Sequence, residues 1–108
     1  MTATSTSDNA TVGGVAGDNS SGSVAGCSTT SAVTATSTSS RAFAGGIVGG
    51  NRYGSVINCV ALNTSVQASG GTIYAGRVAG FNSNTLTNCY ANSSMMGGTF
   101  TSDAQPAV

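Results

Sequence analysis

The sequence predicts an all-β fold: a right-handed parallel β-solenoid of about three coils, with roughly three short strands per coil. Three observations lead there. One block is written three times, anchored on Cys27, Cys59 and Cys89, with cysteine spacings of 32 and 30 residues. Self-similarity at a period of about 20–50 residues marks a solenoid, propeller or array. The chain has no Glu and no Lys but is rich in Ser, Thr, Val, Gly and Asn, a poor mixture for helices and a good one for pleated strands. Gly and Asn also recur every few residues, which suits short strands joined at corners that need left-handed backbone. Parallel crossovers are almost always right-handed, hence the expected hand.

In chain order, Thr2, Thr4 and Thr6 alternate with Ala3, Ser5 and Ser7, the texture of a first strand. The three copies span about 11–40, 43–72 and 74–102, with a polar tail at 103–108. Within them Thr11, Gly13 and Val15 align with Phe43, Gly45 and Ile47, and with Tyr74, Gly76 and Val78. Alternate strand residues share a face, so Val15, Ile47 and Val78 are expected inside with their partners at Phe43 and Tyr74. Gly46 is then expected outside, where the third copy carries Arg77. Asn19, Asn51 and Asn82 follow as turn residues.

Next come two further columns, Val24, Val56 and Leu86, then Cys27, Cys59 and Cys89. They lie three residues apart, an odd number, so a flat strand cannot send both inward. A corner is expected between them at Asn58 and Asn88, with Gly26 in the first copy, because Asn and Gly tolerate the left-handed region. Each polar spacer has room for a third strand, at Ser31 to Thr36, Thr64 to Ala68 and Ser93 to Met96, with Val33, Val66 and Met95 inward. Pro106 lies in the tail and breaks no ladder.

Composition narrows the chemistry. With no His and no Lys, Ser-His-Asp, Cys-His, histidine-metal and Schiff-base schemes have no residues to use. Asp8 and Asp18 are the one conceivable acid–base pair, and isolated aspartates in such a chain read better as solvated turn residues. One thiol per coil fits a column of small buried side chains. A single disulfide within that column is the alternative; a metal site lacks the close pairs and fourth ligand that zinc needs. GGVAGD at Gly13 to Asp18 misses the calcium nonapeptide spacing, and Gly50 and Phe81 replace its Asp in later copies. No Lys follows the glycine blocks, so they make no phosphate loop. Sequons begin at Asn9, Asn19, Asn63 and Asn92, as this composition produces by itself. Neither catalytic, cofactor nor metal residues are therefore assigned.

The blocks GGIVGGNRYGSVINCVA at Gly45 to Ala61 and GRVAGFNSNTLTNCYA at Gly76 to Ala91 resemble the GLUG-motif repeat. The first copy departs at its end, with Gly26, Cys27, Ser28 and Thr29 in place of Asn-Cys-Tyr-Ala. About half of the residues carry the resemblance directly. It implies a β-helical repeat of large secreted and surface proteins of bacteria, adhesin-like proteins among them, and it brings no catalytic residue.

A non-enzymatic structural or adhesive module of a bacterial secreted or cell-surface protein is thus expected, without a signal peptide in this chain. Outward Ser, Thr and Asn would bind a carbohydrate or protein ligand. The alternative is a subunit that self-associates through open solenoid ends into an extracellular filament, since polar caps are not visible. An ice-binding face built on Thr34, Thr36 and Thr38 ranks below both, because Gln67, Ser69 and Met96 interrupt it. Three Asp against three Arg leave no net charge, so nucleic acid is not an expected partner; no apolar run suits membrane insertion.

Overall fold

The computed structural model describes residues 2–5, 9–83 and 85–91. Its strands stack as three rungs, and every pairing between rungs is parallel. The chain is a parallel β-solenoid. Rung 1 holds β1 (Thr2–Ser5), β2 (Ala10–Gly13), β3 (Ala16–Asn19), β4 (Ser23–Ala25) and β5 (Ser28–Thr29). Rung 2 holds β6 (Val33–Gly45), β7 (Val48–Asn51), β8 (Ser55–Ile57) and β9 (Val60–Ala61). Rung 3 holds β10 (Val66–Gly76), β11 (Ala79–Asn82), β12 (Thr85–Thr87) and β13 (Tyr90–Ala91). Four sheets result, with rung 2 in the middle of each.

Two expectations about layout are corrected here. A rung has four paired segments instead of three, and the spacer strand is not separate. Val33 to Gly45 runs as one strand of 13 residues, because its Thr, Ser and Ala stretch contains no corner-forming Asn or Gly until Gly45. The spacer therefore opens the next rung, and a copy counted from residue 11, 43 or 74 starts inside a strand. Of the expected third strands, Ser93 to Met96 lies outside the described residues.

Register explains the unequal cysteine spacing. Rungs 1 and 2 keep one offset of 32 throughout, from Thr2 opposite Thr34 to Thr29 opposite Ala61. Between rungs 2 and 3 the offset begins at 33 (Val33 with Val66) and falls to 31 (Arg41 with Thr72) across a bulge. It ends at 30 (Ala61 with Ala91). At the bulge Gly70 has φ 143°, a backbone region that only glycine visits without strain.

The repeated glycine block makes an arch that folds β6 back onto β7. A Cβ on Gly45 would strike the Val48 carbonyl and lie 2.7 Å from Gly80 N. One on Gly49 would lie 2.7 Å from Gly17 O and 2.8 Å from Val12 O. One on Gly80 would lie 2.8 Å from Ala44 O. The two arms thus pack backbone on backbone, which only glycine permits at these points.

The arch also breaks the alternation expected across it. Ala42, Ala44, Ile47 and Val48 all enter the core, whereas Phe43 stays outside that cluster. Phe43 and Tyr74 therefore do not share a face with Ile47 and Val78, because the strand turns at Gly46 before parity can carry over. Gly46 does not face solvent either: its Cβ position is 2.6 Å from Asn63 Oδ1 and 2.9 Å from Ala61 Cβ. Arg77, its counterpart, is half-buried.

Val33, Ala35, Ile47, Val48, Val56, Cys59, Val66, Val78 and Cys89 fill the interior. Small and β-branched side chains suit it, since arms this close leave little width between them. Val24 and Leu86 pack against this core from the outer rungs, and Val56 between them is fully buried. Val15 departs from its column. It is 41% exposed where Ile47 and Val78 are 0%.

Candidate functional site

Two inward columns and two outward surfaces hold the functional chemistry of the described residues. The thiol column follows from a corner. Gly26, Asn58 and Asn88 have φ of 62°, 54° and 51°, turning the chain between Val24 and Cys27 and their counterparts so that both can face inward. Cys59 Sγ donates to Ile57 O at 3.3 Å and to Val24 O of the rung below at 3.6 Å. Cys89 repeats this with Thr87 O and Val56 O, both at 3.4 Å. Cys27 reaches only Ala25 O, at 3.3 Å. All three are free thiols; Cys59 and Cys89 are buried and Cys27 is half-buried. Burial is the largest influence on Cys59 and pushes its thiol above the ordinary range; the backbone hydrogen bond from Cys27 lowers it, and the Cys89 and Cys27 thiols raise it further.

Asn19, Asn51 and Asn82, expected as turn residues, stand just before the bends at 20–22, 52–54 and 83 and also form an amide column. None has the left-handed backbone of Asn58 and Asn88; each ends a strand, β3, β7 or β11. Asn19 Nδ2 donates to Asn51 Oδ1 at 3.0 Å, and Asn51 Nδ2 donates to Asn82 Oδ1 at 2.8 Å. Identical amides stacked at the rung spacing satisfy one another along the axis. The lowest one also governs its loop, since Gly22 N donates to Asn19 Oδ1 at 3.1 Å. Asn63, read from the sequence only as the start of a sequon, is fully buried and donates to Ser31 O at 2.6 Å and Gly46 O at 3.3 Å. It ties the chain after β9 to the arch.

The first outward surface is a ridge of half-buried Tyr74 and Phe81 packed on a buried Phe43, beside an ion pair. Phe43 and Tyr74 face each other across rungs 2 and 3 and stack at 4.8 Å with 7° between planes. Phe81 meets both edge-on, at 6.3 and 5.9 Å. The Arg52 guanidinium sits 5.7 Å from the Phe43 centroid and 6.0 Å from that of Phe81, and its Nε lies 3.4 Å from Asp18 Oδ1. Sequence reading aligned Phe43 with Tyr74 but missed the ridge. Phe81, Gly50 and Asp18 are aligned on neighbouring rungs, and that column was treated only as failed calcium ligands.

The second outward surface lies on β1, β6 and β10, where Thr2, Thr34 and Gln67 form one row and Thr4, Thr36 and Ser69 the next. Ser69 Oγ donates to Thr36 Oγ1 at 3.3 Å. Their alternates Ala3, Ala35 and Ala68 pack on the core, so the hydroxyls point away from it. Asp18 has Arg52 for its charged partner; Asp8, the other half of the acid–base pair, lies outside the described residues, as do Thr6, Asn92 and Met95. Sequons at Asn19 and Asn63 are buried, and Asn9 is exposed. Among the described residues no group of three or more His, Cys, Asp or Glu is placed to hold a metal, and no helix is long and apolar enough to cross a membrane. Compared with protein-family models, curated proteins and solved structures, the chain matches none.

Proposed function

We propose that this chain is a non-enzymatic structural and adhesive module, a slice of a β-solenoid from a bacterial secreted or surface protein, whose ridge binds carbohydrate. The ridge is the observation that supports it. A sugar ring offers apolar C–H faces to aromatic rings and hydroxyls to a carboxylate and a guanidinium. Phe81 and Tyr74 are half-buried, and the Asp18 and Arg52 side chains are 45% and 43% exposed, so all four can meet a ligand. The scaffold holds them without depending on the ligand, because the stacked rungs fix the ring positions. Such a site binds weakly and gains strength from repetition along an array.

Affinity electrophoresis through gels cast with individual polysaccharides tests the reading. Retardation by at least one of them is expected, with loss of most of it in Phe81→Ala and Arg52→Ala variants that keep the wild-type thermal transition. Absence of retardation across neutral and acidic polysaccharides removes the adhesive half of the proposal. Release of shorter saccharides by the purified protein, abolished by Asp18→Asn, removes the non-enzymatic half.

A further inference from the structure

The Arg52 guanidinium is held in place without being saturated. Its carbon lies 5.7 Å from the Phe43 centroid and 6.0 Å from that of Phe81, and Phe43 is buried, which fixes the ring beneath it. Asp18 is its ion-pair partner among the described residues, and the approach is Nε to Oδ1 at 3.4 Å. A charge-assisted N–H···O bond closes to about 2.7–2.9 Å, so this contact orients the group and satisfies little of it. A guanidinium has five N–H donors and no acceptor. The side chain is 43% exposed, and it stands beside half-buried Tyr74 and Phe81.

Local charge favours an anion. Arg41 stands two residues before Phe43 on β6, and Ala42 between them packs into the core. Alternate strand residues share a face, so Arg41 lies on the side of the ridge, about 6.6 Å along the strand from Phe43. Its side chain is exposed. Among the described residues this face therefore carries two guanidinium groups, Arg41 and Arg52, against the one carboxylate of Asp18.

From this geometry we infer that the ridge selects acidic saccharides, those whose sugar rings carry a carboxylate, as in polyuronates. The inference rests on the carbohydrate reading above and names its ligand class. A planar carboxylate meets the edge of a guanidinium through two parallel N–H···O bonds, whereas a hydroxyl offers a single oxygen. Asp18 approaches from the Nε side, which leaves the edge formed by the two Nη atoms to the ligand. In a uronate the carboxylate projects from the rim of the ring. One sugar can then set its C–H face on Tyr74 and Phe81 and its carboxylate on Arg52, while Asp18 remains an acceptor for sugar hydroxyls. Arg41 adds attraction for a further carboxylate along the polymer.

Affinity electrophoresis of the full chain through gels containing polygalacturonate, alginate or hyaluronate, each beside its carboxyl-reduced neutral form, tests the inference. At least one polyuronate should retard the protein, and the affinity for its neutral form should be lower by about tenfold or more. Retardation should decline as salt rises from about 0.02 to about 0.3 M, because the contact is open to solvent. Arg52→Gln should weaken binding of the polyuronate about tenfold. Arg52→Lys keeps the charge but loses the fork and should recover only a minor part of it; both variants are read where the wild-type thermal transition is kept. Equal retardation by a polyuronate and its reduced form overturns the inference and leaves the carbohydrate reading standing. Retardation by no polymer, acidic or neutral, removes both. Full binding by Arg52→Lys, or stronger retardation by dextran sulfate than by any polyuronate, also overturns it, since charge without carboxylate geometry would then suffice. The comparison of acidic with reduced polymer uses the wild-type chain alone, so it decides the matter even if a variant fails to fold.

Discussion

Rung 1 and rung 2 share their aligned glycine, aliphatic, Asn and Cys columns, yet the middle rung buries what the first leaves in part exposed. Ile47 is covered and Val15 is not; Cys59 is covered and Cys27 only half. Intrarung chemistry does not account for this, since both rungs run through the same arch and corner at one constant offset. Among the described residues rung 2 is paired on both sides and rung 1 on one. In a solenoid each repeat gains stability from the interfaces above and below it, so equivalent substitutions should act unequally according to rung.

The largest effect is expected at the apolar columns. Ile47→Ala empties a fully enclosed site and should destabilise by about 3–4 kcal/mol, transfer and cavity terms together. Val15→Ala removes a side chain already partly in water and should cost less than about 1 kcal/mol. Urea unfolding of the two variants at one protein concentration measures the difference. Equal losses would mean that the rungs do not differ in the way their exposure implies.

A sharper version uses the arch glycines. Gly49→Ala places a methyl group 2.7 Å from Gly17 O and 2.8 Å from Val12 O, and backbone cannot yield as a flexible side chain can. About 2–3 kcal/mol of destabilisation is expected. At the equivalent Gly17 the only atom near a new Cβ is Thr11 O at 3.4 Å, so Gly17→Ala should be close to neutral. Thermal transitions check this, at about 4–8 °C per kcal/mol for a domain of this size. A lower transition in Gly17→Ala than in Gly49→Ala would sink the backbone-contact explanation of the glycine block.

Next in size is the amide column. Asn51 accepts from Asn19 and donates to Asn82, so Asn51→Ala interrupts the run in the middle and leaves a buried donor behind. About 2 kcal/mol is expected. Asn82→Ala acts at a half-buried end that water can reach and should cost about 1 kcal/mol or less. A double-variant cycle would show coupling between Asn19 and Asn51 and almost none between Asn19 and Asn82.

These contrasts also show which features a single sequence makes legible. Fold class could be read, because the repeat of Gly, aliphatic, Asn and Cys columns is a property of composition and spacing alone. The left-handed corner could be read too, since an odd separation between two apolar columns leaves no other geometry. The arch could not: parity counting assumes a continuous strand, and it failed where Gly45 and Gly46 turn the chain, leaving Phe43 buried under Tyr74 and Phe81 instead of in the cluster with Ile47. Asn19, Asn51 and Asn82 look like turn formers by residue type, and only stacking at the rung distance makes their amides partners. Exposure of Val15 was hidden for a related reason, since alignment equates rungs that differ in what lies beside them. The ridge joins residues of all three rungs across two sheets, and no local pattern announces it.

The smallest effect concerns pH and the buried thiol of the middle rung. Burial raises the Cys59 thiol above the 9.0 of an unfolded thiol, so the folded chain keeps a proton that the unfolded chain releases. Below pH 9.0 both states hold it and the full stability is present. As pH rises past that value, unfolding is coupled to proton release and stability falls until the folded thiol also titrates. Urea midpoints at pH 7, 8, 9 and 10 should therefore decline at the alkaline end. Comparison with Cys59→Ala isolates the thiol, because the variant differs from the parent at that side chain alone. The variant should lose part of the alkaline slope. An unchanged slope in Cys59→Ala would place the alkaline sensitivity elsewhere and deny the middle rung its distinctive desolvation.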